Sequence, residues 1–434
     1  MFSKLRLATA CKAGELSGRL SIKLGRGRGE TLSGRVILAL DPGAISKLSA
    51  GRDIVLVSGT NGKTTSTRNL ANILRDFAGE GVSTSESGAN MPAGIAALLA
   101  QLPRNRFAVV ECDEMYLPDM YQKLSPKVIV LLNLSRDQLH RTGEVRKVSN
   151  LWHQAFTNDD VTFVVDRDDP FLEHAISQAG HVIRVSFSGR RHPDAATCPN
   201  CAAILDWSTG DYACACGLGA KLPDVRADKR LDGPQRNTVL VIEAARLMGA
   251  EILADEATDL ISKAPDRIHG FSSGGKVVPT HLAKNPESWR QALGDVLADQ
   301  VVLSVNARGI DGRDTSWLWD IDYTKLRGKR VICTGERRLD VAYRLSVQGI
   351  EVSVASSFAQ AVAEFTSEPI QAIVSYTAYQ DLLATELGIT AGKGGAQCVL
   401  LLSGSTTTYL APTGTKAMPR FGCIEPKHET LMSS

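Results

Sequence analysis

The chain has 434 residues, and its 49 basic and 47 acidic side chains leave a net charge of only +2. That length supports two or three domains, each burying its own core, and the near balance of charge gives no global reason to expect a nucleic-acid partner. No apolar run is long enough for a transmembrane helix, so none is expected.

The first 35 residues are lopsided: Lys4, Arg6, Lys12, Arg19, Lys23, Arg26, Arg28 and Arg35 face only Glu15 and Glu30. They contain no continuous apolar core of the kind a secretory signal needs. Three readings stay open: an arginine-rich transit peptide, a solvated amphipathic helix on the first domain, or weak attraction to an anionic membrane surface. The apolar run at 36–40 predicts a first strand.

Residues 54–58 predict a second strand, which runs into Gly59, Thr60, Asn61, Gly62, Lys63, Thr64 and Thr65. Residues 66–77 then predict a helix. A strand, a glycine-bracketed turn and a helix make a phosphate-binding loop. Backbone N–H groups from Gly59 to Lys63 point at phosphate oxygens, and the helix N-terminus adds its dipole. Lys63 reaches the β- and γ-phosphates of ATP, and the Thr64 hydroxyl is a ligand for Mg²⁺.

Further strands are predicted at 107–112, 128–132 and 161–165, with helices at 94–102, 145–156 and 170–178. The alternation specifies an α/β fold with a doubly wound, mostly parallel sheet. Ligands of such sheets sit beyond the carboxyl ends of the strands. The strand at 107–112 ends there in Glu111, Cys112, Asp113 and Glu114. Glu111 is the first candidate to complete Mg²⁺ coordination beside Thr64, and Glu114 the second. The next strand ends in a polar segment from Asn133 to Gly143 that holds Asp137, Gln138 and His140.

Residues 195–222 have the texture of a small insertion. Cys198 and Cys201 have two residues between them, and Cys214 and Cys216 follow after twelve more residues. Two close pairs in tight turns offer four thiolates to one structural Zn²⁺, although the single residue inside the second pair narrows its bite. The five other cysteines are scattered, and without an export signal a reducing cytoplasm is the expected compartment.

A helix predicted at 237–247 is opened by Asn237. A Gly/Ser break at 272–275 separates a first domain, 1–270, from a smaller Rossmann-like α/β domain, 276–434. In the second domain strands are predicted at 301–305, 329–334, 351–355 and 372–374, and helices at 340–348 and 358–365. Asp340, near a helix start, has a plain role as an N-terminal cap.

The short loop form, with Val57 where the first glycine of the general motif falls, resembles the Mur ligases and folylpolyglutamate synthetases. The segment from Asn133 to Gly143 resembles a Mur ligase stretch, but Gln138 replaces a histidine that binds a second Mg²⁺ in many relatives, and His140 replaces an aspartate. By the same resemblance Asn237 contacts the adenine, Arg267 neutralises phosphate charge, and Lys284, Asn285 and Pro286 form a motif at the hinge. Two segments are narrower. Asp311-Gly-Arg-Asp314-Thr-Ser-Trp317-Leu-Trp319-Asp320 and Asp340-Val-Ala-Tyr-Arg344 resemble the MurT family, the Mur ligase-like synthetase subunits of lipid II isoglutaminyl synthases.

That resemblance implies peptidoglycan chemistry: ATP-dependent amidation of the α-carboxylate of D-glutamate in the lipid II stem peptide at the inner membrane face. Ammonia comes from a GatD-type glutamine amidotransferase, to whose Cys–His pair Asp340 contributes the third member in trans. The loop begins by residue 59, which leaves no room before it for the domain that holds a UDP-sugar in most Mur ligases and so implies a lipid-linked substrate. Two other readings stay open: an amino-acid-adding Mur-type or folylpolyglutamate-type ligase, and a non-enzymatic subunit whose loop only gates assembly.

Overall fold

The structure, a computed structural model, describes residues 2–24, 29–79, 81–84, 88–101, 106–137, 143–157, 160–187, 191–228, 231–262, 268–308, 314–367 and 369–386. Two sheets organise the chain. The first has seven parallel strands: β1 (Asp53–Ser58), β2 (Val82–Thr84), β3 (Phe107–Glu111), β4 (Val128–Leu131), β5 (Thr162–Asp166), β6 (His181–Ser186) and β7 (Val225–Arg226), in the order β2-β3-β1-β4-β5-β6-β7. Its central strands are apolar on both faces, as a sheet covered on both sides requires. Ile54 and Leu56 of β1 pack into one buried cluster with Trp152 and Phe163, while Val55 and Val57 pack into another with Leu70 and Leu240.

Strand β1 lies between β3 and β4. The chain winds away from β1 in both directions, so the crevice for ligands opens beyond its carboxyl end. The helix Lys63–Ala78 starts there.

The second sheet contains β8 (Ile268–Ser273), β9 (Lys276–Leu282), β10 (Gln300–Ser304), β11 (Arg330–Thr334), β12 (Val352–Val354) and β13 (Ile370–Val374), in the order β12-β11-β10-β13-β9-β8. All its pairs are parallel except β8 with β9. Its core gathers Trp289, Leu303, Tyr323 and Val341.

Three sequence expectations are corrected. Residues 36–40 are helical, the end of Glu30–Leu40; a five-residue apolar run cannot be told from a helix turn by periodicity, and here Ile37 is buried while Leu40 is exposed. The Gly/Ser segment at 272–275 is the turn of the β8–β9 hairpin, with Gly274 and Gly275 both at positive φ, as a two-residue hairpin turn demands. Residues 268–273, of which 268–270 were grouped above with the first domain, therefore pair in the second sheet. The helix carrying Asn237 begins at Gly233, because Asp232 and Gln235 form a capping box, so Asn237 sits inside it. No helix among the described residues is long and apolar enough to cross a membrane.

Candidate active site

The turn after β1 is shaped by two glycines at positive φ, Gly59 at 136° and Gly62 at 89°. A Cβ on Gly62 would lie 2.1 Å from the Asn237 amide nitrogen, so only glycine fits there. The loop is clamped from β4. The Thr60 N–H donates to the Asn133 carbonyl (2.9 Å), the Asn61 N–H donates to Asn133 Oδ1 (2.9 Å), and Asn133 Nδ2 returns a bond to the Asn61 carbonyl (2.9 Å). Asn237 Nδ2 donates to the same carbonyl at 3.3 Å. Asn237 is buried and braces the loop from behind.

Lys63 Nζ donates to the Gly59 carbonyl at 2.6 Å and pairs with Glu114 Oε2 at 3.1 Å, in a site where both side chains are about nine-tenths covered. Burial alone pushes the ammonium toward neutrality; Glu114, Glu111 and Asp137 outweigh it and hold the Lys63 pKa above its ordinary value. Thr64 hydrogen-bonds to the Glu111 carboxylate, and Asn90 Nδ2 donates to Glu111 Oε1 at 3.1 Å. Burial pushes the Glu111 carboxyl up, against Lys63 and these two hydrogen bonds. A divalent cation would relieve that desolvation, and a hydroxyl beside a carboxylate is a hard oxygen donor pair suited to Mg²⁺. The expected pair Thr64 and Glu111 is thus brought together, while Glu114 is engaged by the lysine. Asn90 had no signal in the sequence, because its role depends on where the loop before it folds.

The second domain reaches into this site. Lys284, two residues beyond β9, donates to the Thr60 carbonyl at 3.2 Å and pairs with Asp137 Oδ2 at 3.1 Å. Asn285, which caps the helix Pro286–Gly294, donates from Nδ2 to Asn61 Oδ1 at 3.0 Å. Arg136 bridges Asp194 and Asp320 at 2.8 Å each. Arg267, Gln138 and His140 lie outside the described residues.

The four cysteines converge. Sγ of Cys198 is 3.6 Å from that of Cys216, Sγ of Cys201 is 3.4 Å from that of Cys214, and all four sulfurs lie within 4.8 Å of one another. A tetrahedron with metal–sulfur bonds of about 2.3 Å has edges of about 3.8 Å, so the donor set fits Zn²⁺. Both turns close in the same way. Ala202 (φ 66°) follows the first pair and Gly217 (φ 93°) the second. Cys198 is fully buried and joins Ala195 and Leu205 in the first domain's core, and Arg146 Nε donates to the Pro199 carbonyl at 2.8 Å.

Asp340 does not join the loop cluster. It lies in the first turn of the helix Arg338–Val347, whose cap position is Arg337, so the capping role expected for it is not the one it has. Its carboxylate is half-exposed and pairs with Arg337 at 2.6 Å. Leu339, Tyr343 and Val347, at four-residue spacing on the same helix, are 54–65% exposed. Arg344 stacks its guanidinium 4.9 Å from the centre of the half-exposed Trp319 ring and donates to the Trp319 and Ile321 carbonyls. The helix and the Trp-rich segment Ser316–Asp320 are thereby fixed as one surface. Trp317 points inward onto Trp289, at 6.1 Å between rings.

Comparison with known proteins adds to this geometry. A family model for the Mur ligase middle domain matches residues 57–202, and one for the MurT ligase C-terminal matches residues 282–379. The chain is similar to the lipid II isoglutaminyl synthase (glutamine-hydrolyzing) subunit MurT of Staphylococcus aureus, 27% identical over 81% of this chain and 90% of that one. It is similar to the subunit of the same name from Streptococcus pneumoniae, 28% identical over 86% of this chain and 96% of that one. Among solved structures, a pseudomurein peptide ligase type C from Methanothermus fervidus matches with a TM-score of 0.57 and 16% identity, covering 79% of this chain and 80% of that one. The last likeness concerns the fold.

Proposed function

We infer that this chain, a Mur ligase-like protein of the MurT type, is the synthetase subunit of a lipid II isoglutaminyl synthase. Its substrate is the α-carboxylate of D-glutamate in the lipid II stem peptide, presented at the cytoplasmic face of the membrane. The observation that carries the reading is the joint presence of two surfaces: a buried phosphate loop with Lys63, Thr64 and Glu111, and an exposed Asp340 on an apolar-striped helix fixed to Trp319.

A carboxylate is a poor acyl donor, so it first attacks the γ-phosphorus of ATP. ADP leaves and an acyl phosphate forms. Ammonia then attacks the acyl carbon, the carbon–oxygen bond to phosphate breaks, and the products are the amide and inorganic phosphate. Lys63 leaves the Gly59 carbonyl and Glu114 to bind the transferring phosphoryl oxygens, and backbone N–H groups of the loop hold the β-phosphate. Thr64 and Glu111 would hold Mg²⁺, which would offset negative charge on the phosphates. Asn237 braces the loop through the Asn61 carbonyl and would contact the adenine, and Arg267 would add positive charge. The ammonia comes from a GatD-type glutamine amidotransferase docked on the Asp340 surface.

The test is turnover by this chain together with its glutaminase partner, given lipid II, glutamine and ATP. The expected result is stoichiometric ADP release and a stem peptide lighter by one mass unit, as hydroxyl is replaced by amino. ADP release that requires an amino acid and ignores ammonia would assign an amino-acid-adding ligase instead.

The Cys198, Cys201, Cys214 and Cys216 cluster binds structural zinc in this reading. So small an insertion has few core residues of its own, and metal binding supplies much of its folding energy. Metal analysis is expected to find one zinc per chain, and Cys201→Ser combined with Cys214→Ser is expected to lose it. The variant loses stability on the order of several kcal/mol, read as a lower melting temperature, because Cys198 draws the insertion into the first core. Full stability without zinc would remove the metal from the fold.

A further inference from the structure

The N-terminal helix Phe2–Lys23 is built inside out. The side facing the domain is mostly small residues, joined by Leu7 and Cys11, which pack on the first core. Ala10, Gly14, Gly18 and Ser21 are buried, and a Cβ on Gly14 would lie 2.5 Å from the Ile37 side chain of the helix Glu30–Leu40. The large apolar residues point the other way. Leu5, Leu16, Leu20, Ile22 and Leu24 are each 57–67% exposed. Close packing on a mostly small-residue seam leaves them uncovered among the described residues.

Cations are interleaved with these leucines. At helical spacing Leu5, Lys12, Leu16, Arg19, Leu20 and Lys23 fall within an arc of about 100°, and all six are exposed. The nearest acid is Glu15, whose carboxylate is held by Arg19 at 2.5 Å. A stripe of leucines flanked by ammonium and guanidinium groups matches the boundary between acyl chains and anionic headgroups. Its apolar side chains enter the boundary region while long basic side chains reach the phosphates.

We propose that the outward face of this helix is a peripheral docking surface for anionic lipid bilayers. It holds the chain at the membrane without crossing it. The surface is argued from the helix alone and does not depend on the reaction assigned above.

The test uses the full chain, with its glutaminase partner if the two are made together, in co-sedimentation with vesicles of phosphatidylcholine or of phosphatidylcholine with phosphatidylglycerol. The expected result is binding to the anionic vesicles, little binding to the neutral ones, and strong weakening by salt. Charge reversal at Lys12, Arg19 and Lys23 is expected to weaken binding on the order of a hundredfold. Leu16→Ser with Leu20→Ser is expected to weaken it about tenfold or more, with the melting temperature kept and ATP turnover on a detergent-dispersed substrate unchanged. Equal binding to neutral and anionic vesicles, or binding untouched by both variants, overturns the proposal. So does a leucine variant that instead dissolves a self-associated form of the chain or releases the partner subunit, because the face would then belong to a protein.

Discussion

Lys63→Ala is expected to lower ATP-dependent amidation by about three orders of magnitude, since it removes a preorganised cation from the transferring phosphoryl group. The assay supplies ammonium chloride in place of glutamine, so that the partner's chemistry does not limit the rate, and reads ADP release. Lys63 is also one half of a covered ion pair with Glu114. Its removal leaves a buried carboxylate uncompensated, which costs about 3–5 kcal/mol of stability. A second variant separates the two effects. Lys63→Ala with Glu114→Gln replaces the stranded charge by a neutral amide, and is expected to recover most of the stability and none of the turnover. Glu111→Gln keeps the hydrogen bonds of Thr64 and Asn90 within reach but loses a charged metal ligand. It is expected to lower turnover about a hundredfold and raise the Mg²⁺ requirement. Full activity in both Lys63 variants would mean that the loop gates assembly and does no chemistry.

The loop and the cysteine cluster were legible in the sequence because each is local. Glycine placement, Lys63 and Thr64 within seven residues, and paired cysteines in tight turns carry their geometry with them. The central strands were legible for a similar reason, since the runs Ile54–Val57, Phe107–Val110 and Val128–Leu131 are apolar and both faces are covered. What failed was of two kinds. Residues 36–40 and Asp340 were local misreadings: a short apolar run that was a helix end, and a helix that began earlier than its first acid. For Asn237 a usable signal existed, because Asp232, Pro234 and Gln235 mark the helix start four residues sooner. The other kind was long-range. Asn90 on Glu111, Asn133 on Asn61 and Lys284 on Thr60 join positions far apart in the chain. No spacing rule finds such contacts; they exist because β1 lies between β3 and β4 and because the second domain folds back over the loop.

Asp340→Asn is expected to separate the two half-reactions. The carboxylate is half-exposed, and its ion pair with Arg337 is a surface pair one helical turn long. Such a pair contributes at most about 1 kcal/mol, and the acid adds a similar or smaller amount at the helix N-terminus. The variant therefore keeps its fold, and its melting temperature moves little. If Asp340 orients a histidine of the glutaminase, losing its charge leaves that imidazole in the wrong tautomer and its protonated form unsupported, an effect of about 10⁴ in rate for a triad of this kind. Glutamine-dependent amidation collapses while amidation from added ammonia persists. The apolar stripe predicts the complementary behaviour. Tyr343→Ala, on the same face one turn further, removes docking area without touching the carboxylate. It is expected to weaken association with the partner while a saturating partner restores the glutamine-dependent rate. Were Asp340→Asn to behave in that second way, rescued by excess partner, Asp340 would be a contact residue and the glutaminase would hold its histidine by other means.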